Sequence, residues 1–136
     1  MAFVPASRGW TTVKVPTKAS TTYAINEFIY SDGTDNVPVT TTTLQNVIGI
    51  TKETKASDST TTSISLLVPT SPACTFFGDV KSGETIAKAD EGQLFDFSST
   101  GLTISTTSTY DAVMLVKFIS SSKGIFKLNT ANGIVT

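Results

Sequence analysis

The sequence predicts an all-β fold, a compact β-barrel or sandwich of about ten short strands with an extended N-terminal arm. Three observations support this prediction. Among the 136 residues are 25 threonines and 16 serines, while charged residues make up only 15%, and β-branched threonine fits a pleated, half-exposed surface. No stretch shows apolar residues with a 3.6-residue period. Short apolar runs instead follow one another at roughly 8–12-residue spacing, which is typical of sandwiches and barrels.

Five of the predicted strands lie in the first half of the chain. Between the second and third strands, Asp32-Gly33 is a strong hairpin signal. Pro38 indicates that the third strand lies at a sheet edge, because proline has no N–H for a second neighbour. Gly49, inside the fourth strand, indicates a bulge or a close approach of another backbone. The five strands are expected at residues 13–15, 23–30, 37–39, 47–50 and 63–69.

The other five strands are expected at residues 73–80, 93–97, 102–106, 112–119 and 124–128. The run 112–119 is the most apolar of the chain, and a strand of this kind is typically central and buried on both faces. A single helical turn is expected at 88–92, and Asn132-Gly133 indicates a further turn near the end of the sequence. The residues expected to be buried in the central strand are Val113, Leu115, Val116, Phe118 and Ile119.

Residues 1–10 are expected to form an extended arm, and residues 11–136 a single β-barrel or sandwich domain. Pro5 and Gly9 interrupt regular structure, yet the apolar side chains of this segment are unusual for a solvated tail. Such an arm can dock on a neighbouring subunit. The candidate interface residues are Phe3, Val4, Pro5 and Trp10.

Charge and hydropathy exclude several classes of partner. The net charge is −1, and the nine lysines and Arg8 are spread along the chain. No basic cluster could neutralise a row of phosphates, so no nucleic-acid partner is expected. No apolar run approaches the roughly 20 residues that span a bilayer, so no membrane partner is expected. The first residues lack the basic and apolar regions of a secretory signal peptide.

The residue types that most enzymes require are scarce. The chain has no histidine and a single cysteine, which excludes a Ser-His-Asp triad, a Cys-His pair and a zinc site built on imidazole. Cys74 lies in the apolar segment PACTFF and is expected to be a small buried hydrophobe. No phosphate-binding glycine motif is present. The sequence therefore predicts no enzymatic activity, no cofactor and no metal.

Carboxylates remain the one group that could act in pairs, as in glycosidases. Asp32 and Asp35 bracket a predicted hairpin turn, and a Ca²⁺ site at residues 32–36 stays open as an alternative, although the order of an EF-hand loop is absent. Asp96 is expected on the surface, opposite to its two phenylalanine neighbours. The acidic groupings considered are Asp32 with Asp35, Asp90 with Glu91, and Asp96, and each is expected in a turn or on the surface.

One segment resembles a known family. It runs TKASTTYAINEFIYSDGTDNVPVTTTTLQNVIGITKE over residues 17–53. It is similar to the opening of tailed-bacteriophage capsid decoration (head cement) proteins, in which a strand leads into a hairpin, then a Val-Pro motif, then a strand with Ile-Gly-Ile. Two later stretches, GDVKSGETIAKADEGQLFDFSS and KFISSSKGIFKL, are also similar. The matching pieces are Phe28-Ile29-Tyr30, Asp32-Gly33, Val37-Pro38-Val39-Thr40 and Asn46-Val47-Ile48-Gly49-Ile50.

The resemblance implies a non-enzymatic structural protein of the virion. Such a protein binds the major capsid protein on the capsid exterior, stabilises the lattice, often forms a homotrimer, and is assembled in the host cytoplasm. Two alternatives stay open. One is another virion structural protein, such as a tail or fibre subunit. The other is a carbohydrate-binding β-sandwich, which would use exposed aromatic rings for stacking, and its candidates are Trp10, Tyr23, Tyr30 and Tyr110.

Overall fold

The computed structural model describes residues 3–43, 46–56, 58–99 and 102–129 and shows eleven strands in two antiparallel sheets. The all-β prediction is confirmed. Within the described residues the only helix is a 3-10 turn at Lys88–Asp90, where one helical turn was expected. The strands are β1 Val4–Pro5, β2 Trp10–Pro16, β3 Phe28–Ser31, β4 Asn36–Pro38, β5 Val47–Thr51, β6 Ser63–Pro69, β7 Phe76–Asp79, β8 Leu94–Phe97, β9 Ile104–Ser105, β10 Val113–Ser120 and β11 Lys123–Leu128.

The first sheet has six strands in the order β1-β7-β11-β10-β8-β9 and curls back on itself. Its centre is the predicted hairpin β10–β11, joined by a two-residue turn. Val80, which follows β7, forms a parallel bridge with Ile104 of β9. The N–H of Lys81 donates to the carbonyl of Ile104 at 2.8 Å. The last strand of this sheet therefore meets the chain at the end of β7.

The second sheet has five strands in the order β2-β6-β5-β3-β4. β4 lies at an edge, as Pro38 predicts. Gly49 of β5 meets the close backbone approach that was expected, since a Cβ there would collide with the carbonyl of Leu67 in β6. The pairing of β3 with β5 also shifts register between Ile29 and Tyr30, opposite Gly49. A glycine is therefore the residue that lets the central strands pack at this distance.

Hydrogen bonds connect the two edges of the five-stranded sheet. The Nδ2 of Asn36 in β4 donates to the carbonyl of Pro16 in β2 at 3.0 Å. The buried hydroxyl of Tyr23 donates to the carbonyl of Asn36 at 2.6 Å and accepts from the N–H of Lys18 at 2.8 Å. The sheet thus curls around a small core of its own, formed by Tyr23, Ile29, Ile48, Ile64, Leu66 and Val68.

The main core lies between the two sheets and is rich in aromatic rings. Phe28 of β3 contacts Phe76 of β7 with a centroid distance of 4.7 Å, and Phe97 of β8 at 5.3 Å. These contacts join the five-stranded sheet to the six-stranded one. The buried residues of this core are Phe3, Phe28, Val39, Val47, Ile50, Phe76, Val80, Ile86, Phe95, Phe97, Ile104, Ala112, Val113, Leu115, Phe126 and Leu128.

The predicted central strand is buried over only part of its length. Val113 and Leu115 are fully buried, as expected, whereas Phe118 is only partly buried against the main core. The prediction is wrong for Val116 and Ile119, whose side chains are 42% and 44% exposed. The pairing of β10 with β11 jumps a residue at each of these two positions, so both are β-bulges. The prediction treated the continuous apolar run as buried on both faces, whereas the side chains at these two bulges face solvent.

Other differences concern where strands begin. The strand expected at 23–30 starts at Phe28, while Tyr23 makes only an isolated bridge with Lys55 and Ile25 lies in a turn, 46% exposed. The strand expected at 102–106 is reduced to Ile104–Ser105. β1 was not predicted as a strand. The turn expected at Asn132-Gly133 lies outside the described residues.

Replacing Tyr23 by phenylalanine tests the connection between the edges of the five-stranded sheet. The change leaves the Lys18 N–H and the Asn36 carbonyl without their partner, so we expect a loss of about 1–3 kcal/mol in the free energy of unfolding. Urea unfolding measures this value. Tyr30→Phe is the matched control, because the half-buried Tyr30 hydroxyl bonds to none of the described residues. Equal losses in the two variants would contradict this role of Tyr23.

Candidate interaction site

Phe3, the first candidate interface residue, belongs to the core of its own chain. Its side chain is fully buried. Its ring centroid lies 4.8 Å from that of Phe28, 5.5 Å from Phe76 and 5.9 Å from Phe97. Its N–H donates to the carbonyl of Asn26 at 3.0 Å. The prediction that Phe3 contacts a neighbouring subunit is therefore wrong for this fold, because burial in its own aromatic core stabilises the ring without a partner.

The next two candidates, Val4 and Pro5, are half-buried and form the short edge strand β1. They pair with Phe77 and Phe76 of β7. A proline suits this position because an edge strand has no second neighbour that needs its N–H. Beyond it, the N–H of Ala6 donates to the carbonyl of Thr75 at 2.9 Å. The N-terminal segment is therefore part of the six-stranded sheet.

The chain then crosses from one sheet to the other through Gly9, whose φ is +95°. The carbonyl of Gly9 accepts the N–H and the hydroxyl of Thr70, both at 2.7 Å. The Sγ of Cys74 lies 3.3 Å from the same oxygen and is buried, as the sequence predicts. Trp10 follows, opens β2 and packs partly buried against the main core.

These contacts correct the expected division into an arm and a domain. The described residues from Phe3 onward pair with strands of both sheets, so residues 3–10 are integral to the domain rather than an arm. Pro5 ends β1 and Gly9 precedes β2, so neither residue keeps the segment out of the fold. A contact of Val4, Pro5 or Trp10 with another subunit stays a prediction.

Asp96, expected on the surface, is fully buried. Its Oδ2 accepts the hydroxyl of Thr107 at 2.5 Å and the N–H of Thr109 at 3.2 Å. Its Oδ1 accepts the N–H groups of Tyr110 and Asp111 at 2.7 and 2.8 Å. The side chain does lie opposite the core, but the β9–β10 loop folds over it. The carboxylate therefore fixes this loop, and its lone pairs are taken up by four donors.

Glu84 holds the beginning of the same loop. Its Oε1 accepts the N–H and the hydroxyl of Thr106 at 2.7 and 3.0 Å, and the hydroxyl of Ser105 at 3.3 Å. The bond from the Thr106 N–H is the main cause that holds the pKa of Glu84 below its usual value. The Oγ of Ser105 lies 3.2 Å from the Oγ1 of Thr107, the residue that donates to Asp96. Two carboxylates and their hydroxyl partners thus form one structural network.

The predicted turn at residues 32–36 is confirmed as the loop between β3 and β4. The Oδ1 of Asp32 accepts the N–H groups of Thr34 and Asp35 at 2.9 and 2.7 Å, and these bonds lower the pKa of Asp32. No group of three or more Asp, Glu, His or Cys side chains suited to a metal occurs within residues 3–43, 46–56, 58–99 and 102–129. The carboxylate of Asp32 therefore acts in the turn.

Asp90 and Glu91 lie in the predicted polar turn. The Oδ2 of Asp90 accepts the N–H of Ala87 at 2.8 Å, closing the 3-10 turn. The Oε2 of Glu91 accepts the N–H of Phe118 in β10 at 2.8 Å, and this bond is the main cause of the lowered pKa of Glu91. Lys88 also pairs with Glu91 at 3.4 Å. Both acids accept hydrogen bonds from backbone N–H groups, and Glu91 accepts one from β10.

Glu91 binds β10 in the stretch that contains the two bulges. The N–H of Phe118, between the bulged residues Val116 and Ile119, is held by Glu91. Just before the first bulge, the carbonyl of Leu115 accepts the N–H of Gly92 at 2.7 Å. Both bulged side chains are β-branched and project into solvent. We call Val116, the exposed Lys117 and Ile119 the bulge surface, and it is the candidate interaction site that the structure adds.

The bulge surface could not be predicted from the sequence, because a continuous apolar run is typical of a buried strand. The interrupted register depends on β11 and on Glu91, which lies 27 positions from Phe118. One signal was present, since Lys117 stands inside the run and a charged residue is rarely buried without a partner.

Comparisons with known proteins give no family assignment: no protein-family model matches the chain, and no significantly similar sequence was found among curated proteins. Within the described residues, no helix has the length and apolar character to cross a membrane.

Truncating the buried carboxylate Asp96 tests its role in the loop. Asp96→Ala leaves the backbone N–H groups of Tyr110 and Asp111 without their acceptor, so we expect a loss of about 3 kcal/mol or more in the free energy of unfolding. Chemical unfolding followed by fluorescence measures it. Asp58→Ala is the control, since exposed Asp58 also accepts a backbone N–H, from Thr60. A loss for Asp96→Ala no larger than that of the control would show that the loop does not depend on the carboxylate.

Proposed function

We propose that this chain is a capsid decoration protein, a structural subunit that binds the major capsid protein on the outside of a tailed-phage head and stabilises the lattice. The observation that carries the proposal is the bulge surface. It presents two β-branched apolar side chains, flanking one lysine, at positions that the backbone fixes. The resemblance over residues 17–53 supplies the class of protein.

The bulge surface is suited to contact with another protein. Bulges commonly redirect side chains at sheet edges and functional sites. Val116 and Ile119 are each more than 40% exposed, although Val113 and Leu115 of the same apolar run are fully buried. Glu91 holds the backbone between them. A preorganised surface loses little conformational freedom on binding, and covering the two side chains removes apolar area from water.

A capsid multiplies weak contacts. Each subunit needs only a modest affinity when its oligomer binds several equivalent sites, because the second contact is made at a high effective concentration. A surface of two apolar side chains and one lysine is therefore sufficient for lattice binding when it is repeated. Repetition of one weak contact favours a partner that is itself an array.

The residues of the resemblance have structural roles in this fold. Asp32-Gly33 lies in the β3–β4 loop, Pro38 at the sheet edge, and Gly49 against the backbone of β6. These are the roles that turn and strand motifs of a small β module require. The resemblance therefore supports the proposal through the fold, while the bulge surface supports it through the contact.

The other functions considered have less support. Of the aromatic residues that a carbohydrate-binding module would use, Tyr23 is buried in the small core, and Trp10, Tyr30 and Tyr110 are half-buried. The buried or backbone-bound carboxylates Asp96 and Glu84 stabilise the loop between β9 and β10. A tail or fibre subunit would also need a contact surface, and the binding partner distinguishes it from a decoration protein.

Binding to capsids that lack the chain tests the proposal. The double variant Val116→Ser with Ile119→Ser removes the apolar part of the bulge surface from solvent-exposed positions, so folding should be retained. We expect the apparent affinity in a co-sedimentation assay to fall at least about tenfold, the effect of losing about 1.4 kcal/mol. Ile25→Ser is the control, because Ile25 is similarly exposed and lies in a turn outside β10.

Two results would contradict the proposal. One is a wild-type protein that does not bind these capsids and is found on tails or fibres of the virion. The other is a double variant that binds as well as the wild type, which would remove the bulge surface as the contact.

A further inference from the structure

Among the described residues the two sheets have four edges, and three of these are short or blocked. β1 has two residues and ends in Pro5, β4 has three and ends in Pro38, and β9 has two and is bridged by Val80. β2 also ends in a proline, Pro16, but it runs for seven residues and pairs with β6 in a regular register without a bulge. Natural proteins usually block such edges, because a long open edge pairs with another strand.

Two hydrogen bonds show which groups of β2 point away from β6. The N–H of Thr70 donates to the carbonyl of Gly9 before the strand, and the N–H of Thr17 donates to the carbonyl of Thr62 after it. Because antiparallel bonding alternates along a strand, the odd-numbered residues of β2 face β6. The even-numbered ones point outward. The carbonyl of Pro16 also points outward, because it accepts a hydrogen bond from the side chain of Asn36, which lies on the side away from β6.

The outward groups of Trp10, Thr12 and Lys14 remain open. Among the residues that the structure describes, none forms a hydrogen bond with their N–H or C=O groups. The side chains from Thr11 to Lys14 are all exposed, and Val13 is 40% exposed. The strand therefore presents three donors and three acceptors in the alternating pattern that an added strand requires.

We propose that β2 pairs with β2 of a second copy of this chain, antiparallel about a twofold axis at Thr12. In this register Thr12 lies opposite Thr12 of the second copy, and Trp10 lies opposite its Lys14. The three outward residues of each copy then exchange six backbone hydrogen bonds, and the two five-stranded sheets become one continuous sheet. The outward residues are symmetric about Thr12, and each Lys14 lies opposite Trp10 of the other copy, which favours a second copy as the occupant.

The neighbouring registers are less favourable. Centring on Val13 places Trp10 opposite Pro16, which has no N–H and whose carbonyl is already used by Asn36. Centring on Lys14 places two lysines directly opposite each other, and like charges in that position destabilise a sheet. The register at Thr12 places Lys14 beside the aromatic Trp10 instead.

This pairing goes beyond the proposed function and does not depend on it. The bulge surface lies on β10 of the other sheet, so the two contacts can fail independently. A twofold pairing also differs from the threefold assembly that the resemblance implies, and sedimentation distinguishes a dimer from a trimer.

Sedimentation equilibrium of the purified chain tests the pairing. We expect the wild type to form a dimer. Thr12→Pro removes an outward N–H while all bonds to β6 remain, so the dimer dissociation constant should rise more than about tenfold. Thr12→Val keeps the N–H and the β-branched shape, and its constant should stay within about twofold of the wild type. Thermal unfolding confirms that each variant is folded.

A cysteine placed at the axis tests the register. In a background with Cys74→Ala, Thr12→Cys puts two cysteines directly opposite each other, at the roughly 5.5 Å Cα separation that suits a disulfide. Oxidation should yield a cross-linked dimer. Val13→Cys in the same background should yield little, because Val13 lies opposite Thr11 of the second copy.

The results that would overturn the proposal are distinct. A wild type that is a monomer or a trimer under all conditions would exclude the twofold pairing, as would a Thr12→Pro variant that dimerises normally. If the wild type is a monomer and Thr12→Pro instead reduces capsid binding, the edge takes a strand of the capsid protein and the second copy is excluded. Cross-linking through Val13→Cys and not through Thr12→Cys would exclude the register.

Discussion

The burial of Phe3 sets the course of the chain that follows it. Its ring lies among Phe28 of one sheet and Phe76 and Phe97 of the other, so it is in contact with both halves of the fold. Because Phe3 is buried at this position, the residues that follow it pair with β7. The chain then crosses at Gly9 and pairs with β6. β2 thereby becomes an edge of the five-stranded sheet.

Carboxylates stabilise the polar loops that the hydroxyl-rich sequence creates. Thr106 and Thr107 donate to Glu84 and Asp96, and the N–H groups that follow are taken up by Asp96 as well. Hydrogen bonds to an ionised acceptor are stronger than neutral ones. A chain with few charged residues therefore uses several of its acids to support backbone turns. Glu27 differs from Glu84, because burial raises the pKa of Glu27 above its usual value.

Local signals in the sequence predicted much of the fold. Apolar runs predicted most strands, Pro38 predicted a sheet edge, and Gly49 predicted a close backbone approach. Each of these features depends on the residue itself and its immediate neighbours. The position of Phe3 could not be predicted in this way, since its aromatic partners lie 25 or more positions away. The same holds for Asp96, which looks exposed by alternation and is covered by a loop folded back from β9.

The candidate site was the least predictable part. The sequence placed the interface at Phe3, Val4, Pro5 and Trp10, by reading apolar residues between Pro and Gly as an arm. The structure shows that this segment completes a sheet. The bulge surface depends on the register between β10 and β11, and within the apolar run only the charged Lys117 indicates an exposed position.

The stability of a Phe3→Ala variant tests the central claim most directly. If the ring joins the two sheets, urea unfolding should show a loss of about 3–5 kcal/mol in the free energy of unfolding, as for other large aromatic side chains removed from a core. If residues 3–10 were an arm that only contacts other subunits, the isolated domain would unfold with its free energy changed by less than about 0.5 kcal/mol, as at exposed sites. That result would contradict the account.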